Sequence, residues 1–238
     1  MSAKTKKRSF LRRAGRIFLY LLIASLLYVV VCRWIMPPVT ITQIGSAVSG
    51  HGLKRDYVPL HDISPNLVLA AIASEDQLFP DHGGFDWKAV EKSLEGNTGK
   101  RKKRARGAAA STISQQVAKN VFLWQGNGVS RYIRKVPEAF YTKMIEWVWG
   151  KKRIMEVYLN VIEMGPGIFG AEAAAQAYFH KPARDLTRAE AAMIIACLPN
   201  PKKFTVVPMS TRVKWRYPQI LAQMDNLAGD PDIEALLK

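Results

Sequence analysis

The sequence is short of cysteine and of acidic side chains. Its two cysteines, Cys32 and Cys197, both lie in apolar segments, so we expect no disulfide between them. Aspartate and glutamate number 19 against 35 lysines and arginines, which gives a net charge of +16. So basic a chain predicts an anionic partner: a nucleic acid, an anionic membrane or a phosphorylated ligand.

Internal repeats, low-complexity segments and runs of alternating polarity are also missing from the sequence. Without alternation, a protein built mainly from β-sheet is excluded. The length of 238 residues leaves room for one good-sized domain and an appendage. From Ser64 onward the apolar spacing is almost entirely helical. We therefore expect an all-α or mainly α domain with a small sheet or none.

A charge-free apolar run follows a basic tail at the N-terminus. Residues 17–32 carry no charge, and residues 34–36 extend the run past Arg33. This length suits a helix that crosses about 30 Å of hydrocarbon, with Arg33 at the interface. A cleavable signal peptide would have a shorter apolar run and a small-x-small site, so we predict an uncleaved anchor at residues 17–36. The basic residues of the tail are Lys4, Lys6, Lys7, Arg8, Arg12, Arg13 and Arg16.

The charge asymmetry also predicts an orientation. Basic residues favour the cytoplasmic side, so residues 1–16 should be a cytoplasmic tail and the rest should lie across the membrane. A membrane surface, and not nucleic acid, is then the expected anionic partner. Pro37 and Pro38 should end the membrane helix and begin a stalk or connector over residues 37–56, with residues 39–48 extended.

The segment that contains Glu75 and Asp76 is a candidate for acid–base chemistry. Ser64 and Pro65 can cap and start a helix whose apolar body runs to Glu75. A carboxylate at the end of an apolar helix is a candidate for a raised pKa, which a general base at neutral pH requires. The alternative is a pair of solvated charges at a helix end, and this fragment alone leaves both open.

A second candidate surface lies in residues 111–120. On a helix, Thr112, Gln116 and Lys119 would share one face. Hydroxyl, amide and ammonium groups on one face suit a sugar-phosphate ligand. An ordinary amphipathic helix explains the same spacing.

Basic side chains gather at residues 100–106 and again before Glu138. The first block is either a solvated loop or a mobile flap near anionic headgroups. In the second, Pro137 should break or kink the helix and place Glu138 at the start of the next one. Glu138 with Arg134 and Lys135 could steer a pyrophosphate or a metal, or form an ordinary surface pair.

Five blocks in order over residues 58–201 make the sequence resemble the family 51 peptidoglycan glycosyltransferases, in their monofunctional, membrane-anchored form. The blocks are Glu75-Asp76-x-x-Phe79-x-x-His82-x-Gly84, Ser111-Thr112-Ile113-x-Gln115-Gln116-x-x-Lys119-Asn120, Arg134-Lys135-x-x-Glu138, Lys151-x-x-Ile154-x-Glu156-x-Tyr158-Leu159-Asn160 and Asp185-Leu186-Thr187-x-Ala189-Glu190-Ala191-Ala192. The sequence departs from the family at residues 107–110, where paired glycines are common, and at Pro137.

The resemblance implies a lysozyme-like, two-lobed, all-helical glycosyltransferase domain over residues 57–238, with a smaller jaw lobe touching the bilayer. It implies an enzyme that polymerises lipid II into linear glycan strands. The growing strand on undecaprenyl pyrophosphate is the donor, lipid II is the acceptor, and a β-1,4 bond forms with inversion. No transpeptidase domain follows, so we expect no cross-linking activity. The alternative is a lysozyme-like lytic enzyme that cleaves glycan.

The resemblance also implies roles for single residues. Glu75 is the expected general base, and Glu138 is the second catalytic glutamate, acting at the pyrophosphate. The expected substrate-binding residues are Asp76, Phe79, His82, Ser111, Thr112, Gln115, Gln116, Lys119, Asn120, Arg134 and Lys135. No tightly bound cofactor is expected, although Mg²⁺ or Mn²⁺ could bind, with Glu138 as the candidate ligand.

The expected location is the bacterial inner membrane, with one membrane pass and the catalytic domain in the periplasm. The expected partners are lipid II, the undecaprenyl-pyrophosphate glycan strand and the bacterial membrane. Proteins of cell-wall synthesis or division are further candidates.

Overall fold

The structure is a computed structural model that describes residues 3–88, 91, 111–126 and 128–237, with the backbone alone for residues 3–11. It comprises two units, Met1–Met36 and Pro37–Lys238. The predictions for the basic block at residues 100–106 and for the departure at residues 107–110 lie outside the described residues.

The N-terminal unit is one helix, α1 (Ala3–Val31). Its segment Arg12–Val31 is long and apolar enough to cross a membrane. The helix ends before the predicted Met36. The backbone N–H groups of Arg33 and Trp34 each bond the carbonyl three residues back, at 3.1 Å. Such bonds tighten the last turn and stop the α-helical ladder.

The second unit is mainly helical, as predicted, and its division into two lobes stays a prediction. Two short 3₁₀ turns, Leu60–Asp62 and Ala183–Asp185, join its longer elements. The helices are α2 (Ile41–Val48), α3 (Pro65–Glu75), α4 (Ile113–Phe122), α5 (Val129–Val148), α6 (Lys151–Val161), α7 (Ala171–Phe179), α8 (Arg188–Cys197), α9 (Thr211–Leu227) and α10 (Pro231–Leu237).

Local sequence signals set several helix starts. Ser64 caps α3 by accepting the Asn66 N–H at 3.3 Å, and Pro65 occupies the first turn, as predicted. A capping box of Thr187 with Glu190 begins α8. Each cap satisfies backbone N–H groups that the helix itself leaves unpaired.

The helix α3 is the centre of the core. Its residues 67–73 are all buried, because a helix that is apolar on every side must be surrounded by other elements. Helices α8 and α9 pack on α3 and on each other, whereas α4 packs on α5 and α6. The C-terminal end of α3 meets the start of α4, where the Asp76 carboxylate accepts the Ile113 N–H at 2.9 Å.

The second unit also contains a small sheet. Its three strands are β1 (Lys54–Arg55), β2 (Glu163–Gly165) and β3 (Ile168–Phe169), with β3 in the middle. Lys54 pairs in parallel with Ile168, and β2 pairs with β3 in antiparallel fashion. This agrees with the predicted small sheet.

The predicted extended conformation of residues 39–48 is wrong, since α2 fills most of that segment. The β-branched residues of this segment favour a strand, but a capping box at its start stabilises a helix instead. Thr40 accepts the Gln43 N–H at 3.2 Å, and Gln43 Oε1 accepts the Thr40 N–H at 3.0 Å. The sequence signal for this helix is the amide side chain of Gln43 three residues after the hydroxyl of Thr40, and the sequence analysis missed it.

The predicted helix break at Pro137 is also wrong. Helix α5 continues through Pro137 from Val129 to Val148, so Glu138 lies in mid-helix and not at a helix start. A proline leaves the carbonyl four residues earlier without its helical partner. That carbonyl belongs to Ile133, which is exposed, so water can satisfy it.

Candidate active site

Glu75 is the half-buried last residue of α3. Gln116 of α4 donates from Nε2 to Glu75 Oε2 at 3.1 Å, and Ser74 donates from Oγ to Oε1 at 3.3 Å. Burial raises the pKa of Glu75, and the two hydrogen bonds and the charges of Arg216 and Lys119 offset part of that rise. The alternative of a fully solvated helix-end charge does not hold for Glu75.

Asp76 has a different environment from its neighbour. It is buried, and its carboxylate accepts the Ile113 N–H at 2.9 Å and the His82 Nε2–H at 2.9 Å. His82 Nδ1 in turn accepts the Gly84 N–H at 3.1 Å, so the ring proton lies on Nε2. Asp76 therefore ties the end of α3 to the start of α4.

Phe79 packs behind the same loop. Its side chain is fully buried, with its ring edge-on to His82 at 6.4 Å between centroids and with Lys151 Nζ 4.5 Å from its ring centroid. The structure thus places Asp76, Phe79 and His82, all predicted to bind substrate, as internal support for Glu75. Their side chains offer little or no surface to a ligand.

Thr112 is the N-cap of α4 and does not lie on a helix face. Its Oγ1 accepts the Gln115 N–H at 3.1 Å and donates to Gly84 O at 2.8 Å. Gln115 Oε1 accepts the Thr112 N–H at 3.0 Å in return. The predicted ligand face therefore loses Thr112 to capping and retains Gln116 and Lys119, and the side chain of Gln115, also predicted to bind substrate, is used in the same cap.

A cleft of about 750 Å³ opens at Gln116, the hydrogen-bond partner of Glu75. Gln116, Lys119 and Asn120 of α4 line it, together with part of α2 and residues 198–202. Asn120 is mostly buried and accepts a hydrogen bond from Gln125 Nε2 at 3.1 Å. Three predicted substrate-binding residues thus meet in one cavity.

Lys119 is the cation of this cleft. Burial and the charge of Arg134 lower its pKa, whereas Glu138 and Glu75 offset part of that fall. Lys119 is therefore within electrostatic reach of both candidate catalytic glutamates. Among the described residues, its ammonium has no hydrogen-bond or salt-bridge partner. It is free to meet an anionic ligand.

Glu138 is buried between two cations of its own helix. Arg134 donates from Nε to Glu138 Oε2 at 3.2 Å, and Lys135 donates from Nζ to Oε1 at 2.5 Å. Arg134 is buried and also donates from Nη1 to Trp124 O at 2.8 Å and to Gln125 O. Lys135 is exposed and reaches Ser111 Oγ at 3.3 Å. The predicted third block therefore forms one ionic cluster, not a surface pair.

The residues around Glu138 do not suit a divalent cation. Mg²⁺ prefers several oxygen ligands, but both carboxylate oxygens of Glu138 bind cationic side chains. Within the described part of the chain, no cluster of three or more His, Cys, Asp or Glu side chains could hold a metal. The expected role of Glu138 as a metal ligand is not supported by this donor set.

Three residues near the site escaped the sequence analysis. Glu163 and Lys202 line the cleft, with Lys202 Nζ 3.9 Å from Glu163 Oε1, and burial raises the pKa of Glu163. Arg216 of α9 acts electrostatically on Glu75. Tertiary packing brings all three to the site, and no local motif marks them.

Comparison with known proteins decides the family. The family model described as Transglycosylase matches residues 41–225. The chain is 54% identical over 176 residues to the biosynthetic peptidoglycan transglycosylase of Escherichia coli strain Crooks, and equally to that of strain HS, covering 74% of this chain and 70% of each relative.

The chain belongs to the transglycosylase family.

The transglycosylase match includes every candidate site residue from Glu75 to Glu138, and it also includes α2. The segment predicted to cross the membrane precedes the match. The identification by sequence blocks is therefore confirmed, while the role of each residue stays a prediction.

Proposed function

We propose that this protein is a peptidoglycan glycosyltransferase that polymerises lipid II into linear glycan strands. The observation that carries the proposal is the position of Lys119, which lines the cleft and is coupled to both Glu75 and Glu138. Lys119 thus lines the same cleft as Gln116, which bonds the carboxylate of Glu75. The family match and the names of its relatives support synthesis over the lytic alternative.

In the proposed reaction, Glu75 accepts the proton of the acceptor 4-hydroxyl while that oxygen attacks the donor anomeric carbon. The new C–O bond forms as the bond to the pyrophosphate breaks on the opposite face, so the configuration inverts. Burial raises the pKa of Glu75 and so brings it closer to neutral pH. A general base works best when its pKa lies near the working pH. Gln116 orients the carboxylate for this step.

The leaving pyrophosphate gains negative charge, and cations stabilise it better than a protonated acid. Lys119 and Lys135 supply this charge directly. We propose that Glu138 positions the cluster by holding Arg134 and Lys135 at fixed sites. No step of this scheme requires a divalent cation.

Exposed apolar side chains support action at a bilayer. Helix α1 provides a candidate anchor, and the basic tail favours an inner-membrane protein with its catalytic unit in the periplasm. One exposed stripe of α5 suits the predicted contact of the jaw lobe with lipid. Its residues are Val129, Ile133, Val136, Phe140 and Trp147.

The test is incubation of the purified full chain with lipid II in detergent. Glycan polymer and undecaprenyl pyrophosphate are the expected products. Release of soluble fragments from finished sacculi, without polymer from lipid II, would instead establish the lytic alternative. Addition of purified division or elongation proteins to the same assay would test the expected protein partners.

A further inference from the structure

Helix α2 is amphipathic, but it buries polar residues and exposes apolar ones. Its buried residues are the polar Gln43 and Ser46, whereas Ile41, Ile44 and Val48 are at least half exposed, at 52%, 50% and 83%. Spacings of three and four residues place these three side chains on one face. The helix therefore turns its polar side to the protein and its apolar side outward.

The inward polar groups of α2 are fully used. Gln43 donates from Nε2 to Tyr57 OH at 2.8 Å and completes the capping box with Thr40. Ser46 donates from Oγ to Gly52 O at 3.1 Å. These bonds fix the rotation of the helix, so the apolar face cannot turn inward without breaking them.

The sequence around α2 is depleted of charge. Residues 34–53 contain no Asp, Glu, Lys or Arg, in a chain in which 23% of residues are charged. The basic residues Arg33, Lys54 and Arg55 flank this segment. Only residues 32–40 separate α2 from α1 along the chain. An uncharged segment with an apolar face and basic flanks, next in sequence to an apolar anchor, has the composition of a bilayer-interface element.

We infer that the face formed by Ile41, Ile44 and Val48 docks on the lipid bilayer. The same helix lines the cleft through Ile41, Thr42, Gly45, Ser46 and Ser49, so Ile41 borders both the cleft and the apolar face, and lipid contact there would bring the cleft to the membrane. This inference rests on the proposed membrane anchoring, and it is independent of which reaction the cleft performs.

The first test needs no variant. The full chain is reconstituted into anionic phospholipid vesicles in which a fraction of the lipid carries a diazirine in its acyl chain, and adducts are mapped by mass spectrometry after irradiation. Lipid adducts on residues 41–48 are expected. Adducts on α1 without any on residues 41–48 would overturn the inference.

The second test uses Ile44→Glu with Val48→Glu, two exposed residues that do not line the cleft. In vesicles, we expect lipid adducts on α2 to fall at least about tenfold, because a carboxylate disfavours hydrocarbon. The control is Val207→Glu, the same kind of change made once, at a 58% exposed valine. Equal adduct yields on α2 in both variants would overturn the inference.

Lipid II polymerisation in detergent separates this inference from the proposed function. The double variant should polymerise at the wild-type rate there, since no bilayer is present. A wild-type protein that forms no polymer but still carries lipid adducts on α2 would disprove the proposed reaction and leave the docking face intact.

Discussion

Gln116 donates a hydrogen bond through Nε2 to Oε2 of Glu75, at 3.1 Å. The same amide nitrogen donates to the Ser111 carbonyl at 3.2 Å, and Gln116 Oε1 accepts a long bond from Tyr158 OH at 3.5 Å. Gln116 is therefore held on both sides. Gln116 belongs to α4, and its hydrogen bond fixes the rotamer of Glu75, the proposed base, at the end of α3.

Replacement of Gln116 with alanine should slow lipid II polymerisation by up to about 100-fold, because a catalytic group that loses its alignment forfeits that much. The hydrogen bond from Gln116 lowers the pKa of Glu75, so its loss should also move the acid limb of the pH–rate profile to higher pH. The rate is measured with fluorescent lipid II across pH.

The control for this variant is Gln176→Ala, which removes an amide that bonds Glu172 on α7. It should leave the acid limb in place. A Gln116→Ala profile that keeps the wild-type acid limb would contradict the proposed contact between this amide and the base.

The raised pKa of Glu75 also makes a prediction about stability. In the unfolded chain a glutamate loses its proton near pH 4.3, whereas the folded protein holds the Glu75 proton to higher pH. The folded state therefore loses stability as pH rises above about 4.3, until Glu75 ionises in the native state. Glu75→Gln should lack this component.

The measurement is urea unfolding of the wild type and Glu75→Gln at a series of pH values from about 4.3 upward, where the folded protein still holds a proton that the unfolded chain has released. Relative to the wild type, the variant should gain stability as pH rises. Parallel curves would mean that the pKa of Glu75 is not raised.

Asp76 should behave as a structural residue although it adjoins Glu75 in sequence. Asp76→Ala removes the acceptor for the Ile113 N–H and for His82, which should lower the free energy of unfolding by about 2–3 kcal/mol. Asp76→Asn keeps one acceptor oxygen and should lose less. Urea unfolding of both variants gives the comparison. Full stability with lost activity would instead assign Asp76 to substrate.

Adjacent residues with the same charge thus have different environments, and sequence reasoning could not separate them. The end of α3 was predictable because Ser64, Pro65 and the apolar body are local signals, and so was the raised pKa of a carboxylate at that end. The partners of Asp76 lie 6 and 37 residues away, across a fold that spacing alone does not define.

Other misses have separate causes. The β-branched residues of α2 have strand propensity, but the capping box and the buried bonds of Gln43 decide the conformation. Pro137 was expected to break or kink a helix, but α5 continues through it. Glu163 and Lys202 reach the cleft only through tertiary packing.

Polymerisation should not depend on a divalent cation. Arg134 and Lys135 occupy the oxygens of Glu138, and Lys119 already supplies positive charge in the cleft. Excess EDTA should therefore leave the rate of lipid II polymerisation unchanged. Loss of activity in EDTA that Mg²⁺ or Mn²⁺ restores would show that a metal displaces these cations from Glu138.

The most direct test of the proposed base is the rate of lipid II polymerisation by Glu75→Gln. The variant keeps the size of the side chain and removes the proton acceptor, so the rate should fall by about 10²–10⁴-fold while the circular dichroism spectrum stays that of the wild type. A folded Glu75→Gln protein that polymerises lipid II at the wild-type rate would contradict the assignment of Glu75 as the base.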